Sequence, residues 1–186
     1  MKPLLAMLGL LAALVVGGCD SDDSAANPPP PVPLTAEAVG HYCGMALVEH
    51  PGPKGQILLR GSDRPVWFSS ARDALAFTML AEEAKTLRAI YVSDMGRAES
   101  WDQPGATNWV EARHAHFVLG SSRRGGMGAE EAVPFADRQA ADRFVAEHGG
   151  RVLAFAQIPR DWVLGDDGAP AAPPAPDAPD AQRHTH

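Results

Sequence analysis

In the stretch "GHYCGMALVEHPGPKG", residues 40 to 55, Met45 follows Cys43 by two positions, with His41 and His50 on either side. Thiolate and thioether are soft donors that select Cu(I), while imidazole suits copper or zinc. In an extended segment, positions i and i+2 point the same way, so both sulfurs would face one ion. A C-x-M pair alone arises by chance, and its weight depends on its company. His41, Glu49 and His50 are near enough in sequence to lend zinc the harder donors it needs. Without a metal, both histidines read as solvated loop residues.

The chain carries six methionines, two of which, Met1 and Met7, lie in the leader. Met79 shares helical spacing with Leu75 and reads as core. Met95 stands in "SDMG" and Met127 in "GGMG". A methionine ordinarily fills an irregular gap in a core; one framed by glycines at a loop tip has lost that reason to be there. The metal-ligand candidates are therefore Cys43, Met45 and Met127, with His50 and Met95 as secondary ones and Asp94, Glu130 and Glu131 undecided. Cys43 and Met127 are 84 residues apart, so the loop must fold back over the first motif.

Compartment sharpens the case. The opening "MKPLLAMLGLLAALVVGGCD" has one Lys, a short apolar run and small residues before Cys19. That is the layout of a secretory signal peptide, with a run too short to span a bilayer. "VGGC" looks like a lipobox, with cleavage before Cys19 and lipid on its sulfur; Asp20 then resembles an inner-membrane retention signal. A lipid anchor can hold a soluble domain at a membrane surface. The chain has only two cysteines, so Cys43 becomes a lone thiol in an oxidising compartment with no disulfide partner. Left exposed there, it invites oxidation. Net charge is −7 with scattered arginines, which excludes nucleic acid as an expected partner. Arg123 and Arg124 read as part of a solvated loop.

The elements that must position these groups come from a repeat. Val66, Phe68, Ala74 and Phe77 match Val133, Phe135, Ala141 and Phe144 at a constant offset of 67, and "RAIYV" answers "RVLAF". Short apolar strands are expected at Ile57–Leu59 and Phe117–Leu119. Ser70 with Asp73 resembles a capping box for one helix, Asp137 caps the other, and Gly149 with Gly150 ends it. The fold expected is α+β, two related ββαβ modules, each a small sheet under one helix. The hairpin turn "GSDR" of the first copy lengthens in the second to "GSSRRGGMGAEE", which puts Met127 at a tip. The division is signal peptide 1–18, lipid anchor and disordered tether 19–33, first module 34–95, second module 96–164, and disordered Pro/Ala/Asp tail 165–186.

The lipobox, "HYCGMALVEHPGPKGQI", "PVWFSSARDAL", "IYVSDMG", "GATNWVEARHAHFVLGS", "GGMGAEEAVPF" and "HGGRVLAF", in that order, resemble the NosL family of nitrous oxide reductase accessory lipoproteins. The resemblance implies a periplasmic, membrane-tethered Cu(I) chaperone serving apo nitrous oxide reductase with a membrane ABC-transporter complex. It puts ligand roles on Cys43, Met45 and Met127. Some relatives carry a further Cys just upstream of CGM; here position 41 is His, so no two-thiolate arrangement is implied, and zinc stays open as a second metal. Two other classes remain: a thiol-dependent envelope enzyme using His41 or His50 as base, and a metal-free lipoprotein assembly module. The enzyme is not expected, because no second Cys and no triad element accompany Cys43.

Overall fold

A computed structural model describes residues 28–80 and 86–165. The signal peptide, Cys19 and nearly all of the tail lie outside the described residues. Within them, no helix is long and apolar enough to cross a membrane.

Strands β1 (Gly55–Leu59) and β2 (Val66–Phe68) form a hairpin, helix α1 (Ala71–Met79) follows, and β3 (Leu87–Ser93) returns beside β1. The second copy repeats this with β5 (His116–Leu119), β6 (Val133–Phe135), α2 (Arg138–His148) and β7 (Arg151–Ala154). The orders β2-β1-β3 and β6-β5-β7 are the same arrangement twice, all antiparallel. Between the copies, β4 (Trp109–Glu111) pairs with β3 and widens the first sheet to four strands. A last short helix, α3 (Arg160–Leu164), packs on α1.

The helix ends obey the local chemistry. The Ser70 hydroxyl accepts from the Asp73 backbone N–H at 3.0 Å, satisfying a donor that the first turn leaves orphaned. Asp137 does the same for Gln139. Helix α2 stops at Gly149, whose N–H reaches the Val145 carbonyl.

Strand alternation decides which side chains meet. Ile57 and Phe68 face α1 in the main core, and Phe117 and Leu119 of β5 join them from the second sheet. Val118, one residue between, points the other way into a second core under α2 with Val133 and Phe135. The two copies therefore share a core instead of standing apart. Met79 packs against the main core, as its spacing implies.

The stretch 28–33 differs from the disordered tether expected of it. Val32 packs on the outer face of the first sheet with Leu58, Ala89 and Tyr91. The buried amide of Gln56 exchanges two 2.8 Å hydrogen bonds with the Val32 backbone, and the Tyr91 hydroxyl donates to the Pro29 carbonyl. A proline-rich strand has few backbone donors of its own. A polar side chain aimed out of the sheet supplies the fixed partners that composition alone does not reveal.

Candidate metal centre

Residues 38 to 47 form a small hairpin instead of an extended segment. Val39 bridges Ala46, the Gly40 N–H donates to the Met45 carbonyl at 2.9 Å, and the Gly44 N–H donates to the Gly40 carbonyl at 2.8 Å. Gly44 takes φ +67°, a left-handed value that side-chain-bearing residues avoid. Cys43 and Met45 thus flank a reversal of the chain, which corrects the i, i+2 argument: they are neighbours through a tight turn. The His41 N–H donates to the Trp67 carbonyl at 2.7 Å and ties this hairpin to the edge of β2. The His41 ring lies edge-on to Phe68 and Phe77, so it packs as well as meeting solvent.

Cys43 is the only cysteine among the described residues and is half-buried. Its Sγ lies over Gly40, where an added methyl would come within 2.5 Å of it, and Leu47 closes the same spot at 3.4 Å. Leu47 begins a single 3₁₀ turn, and the His50 N–H returns to the Leu47 carbonyl.

His50 is where the two halves of the chain meet. Its Nδ1 lies 3.4 Å from the Gly126 carbonyl. A side chain at Gly126 would run into His50 Cβ at 2.7 Å, so only glycine permits this approach. Read as a donor, Nδ1–H leaves the Nε2 lone pair free, and Nε2 is buried with no protein partner among the described residues. The tip of the loop is a closed turn in which the Gly125 N–H reaches the Ala129 carbonyl and the Gly128 N–H the Gly125 carbonyl. Met127 stands on it 55% exposed and Met45 is 39% exposed. Cys43, Gly40, Leu47, His50 and Gly126 thus form an unbroken series of contacts from the CGM turn to the GGMG loop.

Met95 goes elsewhere. Its N–H donates to the Pro134 carbonyl and its side chain packs against the second core, in a cleft of about 250 Å³ shared with Trp101, Arg123, Phe144 and His148. Asp94 is buried, and its carboxylate Oδ1 accepts from the Gly96 and Ala136 backbone N–H groups. Glu130 is exposed beside Arg124.

Glu131 is the residue that pattern reasoning left undecided and the structure makes central to the loop's footing. It is 2% exposed. Its Oε1 accepts from the Arg72 N–H in the first turn of α1 and from the Ala132 N–H, both at 2.9 Å. A carboxyl from the second copy therefore caps the helix of the first. Burial pushes its pKa up to about 8, against the backbone N–H groups that favour the anion. Lys54, 1% exposed, donates to the Gly52 and Pro51 carbonyls beneath the turn after His50. Burial pulls its pKa down to about 8, opposed by Glu131 and Asp102. A buried Lys and a buried Glu carry no motif; only their packing finds them.

Among the described residues, no three His, Cys, Asp or Glu side chains gather to hold a metal.

Residues 31–163 match the NosL family. Over 135 residues, covering 72% of this chain and 70% of the relative, the sequence is 53% identical to a copper-binding lipoprotein of Achromobacter cycloclastes. A copper-binding lipoprotein of Stutzerimonas stutzeri is 34% identical over 152 residues, covering 82% and 78% of the two chains. The crystal structure of a copper chaperone from Shewanella denitrificans superposes with a TM-score of 0.66 at 33% identity, covering 70% of this chain and 97% of that one. On sequence and fold together, the chain belongs to the NosL family.

Proposed function

We propose that the chain is a membrane-tethered periplasmic Cu(I) chaperone that delivers copper to apo nitrous oxide reductase, at a membrane ABC-transporter maturation complex. The observation that carries this reading is the seating of the GGMG loop on His50, which brings the second motif to the segment leaving the first. Cys43 supplies the thiolate, Met45 and Met127 the thioethers, and the unpartnered Nε2 of His50 is the one buried imidazole lone pair nearby. The inner-membrane anchor at Cys19 would keep the domain near its clients.

The donor set also explains exchange. Thioethers are neutral and bind more weakly than thiolate, so a partner's donors can replace Met127 and Met45 first, with Cys43 released last. Both methionines are exposed, so a partner's donors can reach them. Purified chain loaded anaerobically with Cu(I) should retain one equivalent without visible absorption, because a d¹⁰ ion has no ligand-field bands. It should then pass that copper to apo reductase. A protein that emerges metal-free from desalting ends this reading. Met127→Leu keeps the volume and removes the sulfur, and should weaken Cu(I) binding at least about tenfold in chelator competition. Unchanged competition would make Met127 a surface residue only.

A further inference from the structure

The loop that carries Met127 has a further footing besides His50 and Glu131. At its root the Arg123 guanidinium lies 4.4 Å above the Trp101 ring. The same indole rests against Gly52, two residues after His50: a Cβ placed there would be 3.2 Å from Cζ2 and 3.3 Å from Cε2 and Nε1. The Gly52 N–H donates to the Trp101 carbonyl at 2.7 Å. On its other contacts Trp101 stacks with Phe144 of α2, at 6.3 Å and 15° between planes. The Ser122 N–H donates to the His148 carbonyl at the end of that helix. One indole therefore touches the segment that carries His50, the root of the methionine loop, and the helix of the second copy.

We infer that Trp101 and Arg123 are positioning residues for the copper site, fixing where the loop presents Met127 relative to Cys43. Neither touches the metal. The inference rests on the copper reading above and adds residues that no ligand motif contains. The physical reason is the loop's composition. Residues 125 to 128 are "GGMG", whose backbone has more freedom to lose than any other sequence. At its tip, the close approach of Gly126 to His50 and Pro51 holds it against the first motif. A cation over an indole is directional enough to restrict the root, and a thioether held in place loses less entropy on binding.

The test is chelator competition for Cu(I) with the full chain carrying Arg123→Gln, Arg123→Lys, Met127→Leu, or Arg123→Gln with Met127→Leu. Arg123→Gln should weaken binding about fivefold to tenfold, and Arg123→Lys, which restores a cation over the ring, should recover most of the loss. Once Met127 is already leucine, Arg123→Gln should cost nothing further, because there is no sulfur left to place. A general loosening of the fold would weaken binding equally in both backgrounds and would not be rescued by Lys; either result overturns the inference. So does a wild-type affinity for Arg123→Gln while Met127→Leu binds weakly, which would leave the copper reading standing. If Met127→Leu itself binds like wild type, the ligand role of Met127 fails first and the inference falls with it.

Discussion

Cys43→Ser should bind Cu(I) at least about a thousandfold more weakly than the parent chain and should fold as well. The loss is large because serine offers a hard, neutral oxygen where the ion needs a soft anionic donor, and two thioethers cannot replace it. The fold survives because Cys43 sits at a hairpin tip, half-buried, with Gly40 beneath its sulfur. Exchanging sulfur for oxygen there changes little volume, so stability should move by less than about 0.5 kcal/mol. Chelator competition gives the affinity and thermal melting gives the stability. The two readings together make the experiment decisive. Retained affinity in a folded Cys43→Ser chain removes the thiolate from the mechanism. Lost affinity in an unfolded one cannot arise if the hairpin is held, as described, by the Gly40–Met45 and Gly44–Gly40 backbone hydrogen bonds.

That hairpin shows where the reach of the sequence ends. The repeated ββαβ order was legible because each part of it is written locally. Short apolar runs mark β1 and β5, helical spacing follows in α1 and α2, and Ser70 and Asp137 stand at the caps. The exposure of Met127 was legible for a related reason, since glycines on both sides leave a methionine nothing to pack against. What pattern could not reveal is set by partners far along the chain. Gln56 reads as a surface residue of a strand until Val32 is laid across it. Arg123 reads as a solvated loop charge until Trp101 is found under it. Met95, in a glycine context much like that of Met127, is claimed by the second core because β6 passes beside it and the Pro134 carbonyl takes its N–H. Local composition is alike around Met95 and Met127, and the tertiary neighbours differ.

Glu131 carries the second large effect, on stability. Glu131→Ala leaves the Arg72 and Ala132 N–H groups at the foot of α1 without their acceptor. A cost of about 3 kcal/mol is expected at pH 6. Glu131→Gln keeps an acceptor oxygen for both donors, so it should stay within about 1 kcal/mol of the parent below pH 6. The two diverge as pH rises. An acid whose pKa is raised on folding, from 4.5 to about 8, keeps its proton in the folded chain while the unfolded chain gives it up. Its favourable contribution is complete below about pH 4.5 and is lost as pH climbs through about 8. The glutamine has no proton to lose, so Glu131→Gln should become the more stable protein by about 3 kcal/mol at pH 8. Lys54, lowered to about 8, acts in the opposite sense only above that pH. The difference between the two melting curves from pH 5 to pH 8 therefore isolates Glu131. Curves that stay parallel across that range would mean that this carboxyl caps α1 as an anion, with its proton already gone. The loop bearing Met127 would then be tied to the first copy by charge, and its grip would weaken on acidification instead of on alkalinisation.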